Sequence, residues 1–259
     1  MIAILHAEWT KLRTVSGPAW LLAGSVLLTV AVSLAVVAAT SCPRGMTCPV
    51  DTVRLSLTGV QLGQAVVAIL AVLLITNEYS TGLIKVTLTA APQRLIVLVA
   101  KALLVTAGVI IGGTAAAAGC VLAGRLILPG HGFTAGRGFP VLSLVSGLAL
   151  RPEVGSVLYL ALIALLSLGV AAVVRDSAVA IGTVLGILYL FPLILSFVSN
   201  RTWERRLERW TPTNAGLAIQ AATGLKHLPI SPWAGLGVLA LWTAAALLAG
   251  ALTFHLRDA

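Results

Sequence analysis

Long apolar runs separated by short polar clusters set the pattern of this chain. The first run, residues 18–40, is 23 residues without a charge, which at about 1.5 Å per residue covers the ~30 Å hydrocarbon core of a bilayer. A cleavable signal sequence would carry an apolar stretch of only about 7–15 residues, so this run reads as a retained helix. Comparable runs at about 57–76, 102–124, 154–174, 177–198 and 233–254 complete six predicted spans, and the whole of 1–259 reads as a single all-α, polytopic transmembrane domain. The fourth and fifth runs are separated only by Arg175-Asp176, so they form a tight antiparallel hairpin. Pro192 is expected to kink the fifth near its far end.

The polar clusters carry their own periodicities. In residues 1–13, Ile2, Leu5, Trp9 and Leu12 recur at helical spacing with Glu8 and Lys11 turned away and Arg13 at the edge, as in a short interfacial amphipathic helix; the alternative is a polar lead-in to the first span. Thr58, Gln61 and Gln64 stand three apart and share one face of the second run, so that face turns to protein or to water. Hydrogen bonding between helices is favoured over the lining of a substrate path. Gly112, Ala116, Cys120 and Gly124 form a smooth stripe for close helix packing, within the subunit or at a dimer seam. Lys101 is placed to snorkel at the end of the third span.

Residues 125–152 read as a loop with a short apolar re-entrant or interfacial piece at 140–150, too short to cross. Farther on, Trp203, Leu207 and Trp210 line one face of a short charged helix that Pro212 ends. Asn214 is then positioned to cap a second helix, 215–223, stopped by Gly224.

Composition excludes a soluble domain: 59% of the residues are hydrophobic and 10% charged, with a mean hydropathy of +1.04, too little polar surface to cover a globule. The net charge of +9 points to anionic lipid headgroups, with no DNA-binding motif and no nucleic-acid partner expected. Within the predicted span limits there is no Asp, Glu, Lys, Arg or His, which argues against ion-coupled transport and against acid–base or metal chemistry in the membrane. The pattern G-x-x-x-x-G-K-[ST] is absent, so the chain is not expected to be an enzyme that hydrolyses ATP. Cys42 and Cys48 can form a disulfide if their loop faces an oxidising exterior, although sequence does not fix the geometry.

Charge counting does not orient the chain. With the termini inside, Lys11, Arg13, Lys85, Arg94, Lys101, Arg175 and Arg257 lie inside and the other ten of the 17 basic residues outside, a vote against the positive-inside rule. Four of the ten sit in 201–209 beside two glutamates, and without them the count is seven against six.

Six quiet helices without an energy source suggest a subunit driven by a partner. The segments Ser56-Leu57-Thr58-Gly59-Val60-Gln61-Leu62-Gly63-Gln64, Ile75-Thr76-Asn77-Glu78-Tyr79-Ser80-Thr81-Gly82-Leu83-Ile84-Lys85 and Thr87-Leu88-Thr89-Ala90-Ala91-Pro92 resemble the ABC type-2 (ABC-2) permease family of bacterial exporters, particularly its actinobacterial branch. Ala7-Glu8-Trp9-Thr10-Lys11-Leu12-Arg13, Arg175-Asp176-Ser177-Ala178 and Pro212-Thr213-Asn214-Ala215-Gly216 add to the likeness, which extends over nearly the whole chain. The resemblance implies an N-terminal interfacial helix, a cytoplasmic coupling helix between the second and third spans, and short extracellular helices before the last span. It implies docking of a separate ATP-binding subunit, which would hold the ATP and Mg while this chain binds no cofactor, through Glu78, Thr81, Gly82, Lys85, Pro92 and Arg94. It further implies a second permease copy and a multi-pass place in the cell membrane with both termini cytoplasmic. The chain departs from the pattern in having Lys85 and Gln93 where relatives commonly carry Arg. A non-transporting accessory or immunity protein and an ion-coupled carrier are the rival readings.

Overall fold

The computed structural model describes residues 16–43, 48–80, 94–137, 139, 147–197, 201–225 and 228–256. Most of these are helical, with no strand among them, and six helices are long and apolar enough to cross a membrane. The spans are α1 (Ser16–Ala39), α3 (Val60–Ser80), α4 (Arg94–Ile127), α5 (Gly147–Val174), a composite fifth crossing, and α10 (Pro232–Leu256). The fifth begins as α6 (Ser177–Leu185), passes through a π-turn at Gly186–Leu190 and ends as α7 (Phe191–Ser196). Short helices α2 (Thr52–Ser56), α8 (Arg201–Trp210) and α9 (Pro212–Leu217) lie in the connections.

Helix α5 is the hub, packing against α10, α3, α4 and α6, while α1 closes the bundle against α4 and α3. Lipid chains are as apolar as leucine, so close approach rather than hydrophobic burial holds these helices together. The approach is made at small residues: a methyl group at Gly169 would lie 2.6 Å from the Ala246 carbonyl carbon, and one at Gly59 would lie 1.9 Å from the Thr29 carbonyl oxygen. Gly112, Ala116, Cys120 and Gly124 are used inside the subunit: Gly112 faces Leu22 and Val26 of α1, and Cys120 is fully buried with its thiol 3.8 Å from the Thr29 carbonyl.

Several boundaries differ from the apolar runs. The second span starts at Val60 rather than 57, because Asp51 caps a separate helix at 52–56 whose Val53 and Arg54 amides donate to its carboxylate Oδ1. It continues through Asn77–Ser80, so those polar residues form its last turn. The third begins at Arg94, about two turns before 102. Lys101 therefore lies within α4, 6% exposed, with its ammonium 3.4 Å from the Leu74 carbonyl, and it does not snorkel. Residues 147–150, assigned to a re-entrant piece, are the first turn of α5. Pro152 stands in the second turn of that helix, where it supplies no amide to the Leu148 carbonyl. With these longer helices, Lys101, Arg125, Arg151 and Glu153 all fall within membrane-length segments, so the uncharged interior read from the sequence is shorter than the helices are.

The α5–α6 hairpin is as tight as expected. Arg175 takes the left-handed conformation that ends a helix (φ 65°), and Asp176 caps α6 through the Val179 amide at 2.9 Å. Thr211, not Asn214, occupies the N-cap position of α9, and Pro212 opens that helix rather than only closing the one before it. Asn214 lies inside α9, which gives way to a 3-10 turn at Ala218–Gln220 instead of continuing to 223.

Candidate functional site

Alternation of six crossings collects residues 40–43, 48–59, 128–137 and 221–225 at one end of the bundle, and the Arg175 hairpin with the end of α3 at Ser80 and the start of α4 at Arg94 at the other. The first end holds a dense set of polar contacts. Cys42 and Cys48 are disulfide-bonded there, and the Cys42 amide donates to the His131 carbonyl at 2.9 Å, joining the first and second connections. Asp51 joins the first to the third: while Oδ1 caps α2, Oδ2 accepts from the Ala222 and Thr223 amides at 2.6 and 2.8 Å. Arg151, in the opening turns of α5, donates to the Ala221 carbonyl at 2.5 Å.

Below this rim, α9 and the following 3-10 turn are buried among α5, the fifth crossing and α10. Gly216 lies where a side chain would strike the Tyr159 ring at 2.6 Å, and a methyl at Gly235 would meet the Ala215 carbonyl oxygen at 1.9 Å. Tyr159, fully buried, donates to the Gln64 Oε1. Gln220 donates through Nε2 to the Ser156 hydroxyl at 3.2 Å, and the Tyr189 hydroxyl donates to the Gln61 carbonyl.

Thr213 makes the most informative of these bonds. Its hydroxyl donates to the Leu188 carbonyl at 3.1 Å. In an α-helix that carbonyl would accept from residue 192, which is a proline with no N–H. The expected disturbance at Pro192 thus takes the form of a π-turn immediately before it, with the Phe191 amide reaching back to the Gly186 carbonyl. Thr213 supplies from a neighbouring helix the donor that Pro192 lacks.

The three residues proposed to share a polar face separate. Gln64 is 1% exposed and spent on Tyr159, the Gln61 side chain is exposed, and the Thr58 hydroxyl, ahead of α3, returns to the Leu55 carbonyl at 2.8 Å. The interhelical reading holds for Gln64. Trp210 is 68% exposed, and its carbonyl accepts from the Trp242 indole at 3.0 Å, which ties the end of α8 to α10. Glu8, Trp9, Lys11, Arg13, Thr81, Gly82, Lys85 and Pro92 lie outside the described residues, as do the side chains of Glu78, Arg94 and Trp203. Asp51, Arg151, Ser156, Tyr159, Thr213 and Gln220 were not singled out from the sequence. Asp51 before a helical stretch carries a legible capping signal, whereas partners such as Tyr159 and Gln64, 95 positions apart, carry none.

Between α1, α3, α4 and α5 there is space of about 10 Å³, lined by Ser25, Thr29, Val67 and Leu160 among others, about enough for one water. A larger recess of about 510 Å³ opens at the disulfide end between Ser41–Pro43 and Pro129–Gly132. On the opposite end, the Arg175 guanidinium stands 5.3 Å from the Tyr79 ring centre and donates to the Thr253 carbonyl at 3.0 Å, linking the hairpin to the ends of α3 and α10. No protein-family model matches the chain, and no curated protein matches it.

Proposed function

We propose that this chain is the membrane-spanning permease subunit of an ATP-driven exporter of the ABC-2 type, working with a separate ATP-binding subunit and a second permease copy. The observation that carries this reading is that α3 ends at Ser80 and α4 begins at Arg94, the two ends of the 81–93 connection, on the side of the bundle where Arg175 links α3, the α5–α6 hairpin and α10. A push on that connection is therefore delivered to four spans at once. The segments quoted from 56–92 and 175–178 supply the likeness to the family.

The disulfide supports the orientation that charge counting leaves open. A bonded Cys42–Cys48 pair suits an oxidising compartment, which supports reading the opposite, Arg175 end as the cytoplasmic one of a cell-membrane protein.

The test is recovery of the tagged chain from membranes in mild detergent, followed by ATP hydrolysis measurements in nanodiscs. An ATP-binding protein that co-purifies, and is lost on substituting residues 81–92, is the expected result. A chain recovered without any ATP-binding protein, by native purification and by cross-linking alike, refutes the proposal and favours a non-transporting accessory protein; loss of export on collapse of the proton gradient alone favours an ion-coupled carrier.

A further inference from the structure

Helix α8 carries Arg201, Arg205, Arg206 and Arg209 against Glu204 and Glu208, a net +2 over ten residues. Its position is deeper than that composition suggests. Trp210, at its end, is bonded through its carbonyl to Trp242, and Trp242 stands ten residues into α10, about 15 Å along the axis from Pro232. Thr213, three residues later, meets Leu188, eight residues or about 12 Å before the end of α7 at Ser196. The chain is back at the rim by Ala221–Thr223, where Arg151 and Asp51 hold it. Residues 201–223 are therefore a re-entrant helical hairpin, with α8 as the arm that descends between α7 and α10.

Arg206 and Arg209 are exposed on this arm, and no ion pair joins either to another described residue. In a bilayer whose ~30 Å core begins near Pro232, the tip of the hairpin reaches about midway. Two guanidinium groups on this arm, Arg209 next to the tip and Arg206 about 6 Å nearer the rim than the tip, do not face acyl chains without a large penalty; they require negative charge or water. Trp210 beside them, 68% exposed, offers an apolar ring to a hydrocarbon chain and completes an amphipathic surface.

We infer that the exposed face of α8 binds the anionic headgroup of an amphiphilic molecule, with Arg206 and Arg209 on the phosphate or other anionic group and Trp210 against the adjoining chain. Guanidinium forks suit such oxyanions because they donate two hydrogen bonds in one plane. As a statement of cargo class this rests on the exporter reading; as a binding site it does not.

The experiment titrates the purified full chain, in neutral detergent, with dioleoyl phosphatidylglycerol and with dioleoyl phosphatidylcholine, following bound lipid by native mass spectrometry. Phosphatidylglycerol is expected to bind preferentially. Arg206→Gln and Arg209→Gln are each expected to weaken it about fivefold and the double variant about 25-fold, from the energy typical of one basic residue near an anionic surface, while Arg206→Lys retains most of it. Soluble glycerol 3-phosphate separates sources: competition assigns recognition to the phosphate alone, and its failure while the lipid binds assigns it to headgroup and chain together. Equal binding of the two lipids, or a double variant of unchanged melting temperature that binds phosphatidylglycerol as well as the wild type, overturns the inference. So does efficient disulfide cross-linking of Arg206→Cys to the same position of a second copy, which would put this face in a protomer seam. An ATP-binding subunit that co-purifies with a chain indifferent to lipid charge removes this inference alone; selective binding without such a subunit removes the exporter reading alone.

Discussion

Thr213→Val tests whether the outer hairpin is held in place by the backbone defect of the fifth crossing. Valine keeps the shape of threonine and removes the hydroxyl that donates to the Leu188 carbonyl at 3.1 Å. Leu188 is 1% exposed and Thr213 5% exposed, so water does not replace the donor, and the expected loss is that of a buried carbonyl left without it, about 1–3 kcal/mol. Pro192 makes the argument specific. In a Pro192→Ala background residue 192 regains an N–H, the helix closes its own bond to Leu188, and the same Thr213→Val change is expected to cost less by about 1 kcal/mol or more. The assay is a double-mutant cycle on the purified chain, unfolded by a denaturing detergent in mixed micelles, with Thr213→Ser as the control that keeps the hydroxyl. If Thr213→Val costs the same with Pro192 present and in the Pro192→Ala background, the hydroxyl does not substitute for the missing amide and the reasoning fails.

The two ends of the bundle respond to other substitutions in ways the geometry fixes. Gly235→Ala would bring a methyl within 1.9 Å of the Ala215 carbonyl oxygen, whereas Gly237→Ala meets nothing within 4 Å; the first is expected to lower the melting temperature in detergent and the second to leave it unchanged or slightly raised, since alanine favours helix. Asp51→Ala removes acceptors from four backbone amides, at Val53, Arg54, Ala222 and Thr223, and is expected to cost about 0.5–2 kcal/mol for the cap alone and to speed proteolysis between 221 and 225. Cys42→Ser removes a cross-link closing six positions of chain, for a loss of about 2 kcal/mol by loop-closure entropy, read as a melting-temperature drop that the wild type reproduces under reductant. Arg175→Ala is expected to be less stable than Arg175→Gly by about 1 kcal/mol, because both lose the Thr253 and Tyr79 contacts but only glycine takes φ 65° without strain.

The spans were legible because a bilayer imposes a length and a polarity on any segment that crosses it, and the six apolar runs meet both. What hydropathy misplaced were helix ends. Arg94 and Lys101 lower the local average, yet α4 begins at Arg94, since an ammonium buried against a neighbouring helix carbonyl, as in Lys101 with Leu74, is compatible with helix. Asn77–Ser80 read as a linker for the same reason and is the last turn of α3. The Arg175-Asp176 hairpin was plain because two polar residues between long runs leave no alternative. The polar contacts of the disulfide end were not legible, since Asp51 with Thr223 and Thr213 with Leu188 are pairings of distant positions that no periodicity marks. Pro192 announced a disturbance but not which residue would answer it.

The bonds at the disulfide end bear on how readily the molecule opens there. If transport requires the 212–223 segment to move away from its neighbours, the Thr213–Leu188, Gln220–Ser156, Asp51–Ala222, Asp51–Thr223 and Arg151–Ala221 bonds break together. At about 1 kcal/mol net each, these five bonds place the open state roughly 5 kcal/mol above the closed one before any apolar contact is counted, so fewer than about one molecule in a thousand would open unaided. Gly216 against Tyr159 and Gly235 against Ala215 add close packing that opening also forfeits. At the opposite end, a cation–aromatic contact of Arg175 with Tyr79 and its bond to the Thr253 carbonyl join α3, the α5–α6 hairpin and α10. Work applied there moves three elements that converge on the closed segment: α3 through Gln64 and Tyr159, α5 through Ser156, and α10 through Gly235. On the exporter reading proposed above, a protein that is hard to open spontaneously at one end and mechanically linked at the other is suited to being driven by an ATP-binding subunit, and cross-linking from substituted positions in 81–93 is where such a subunit is expected to be captured.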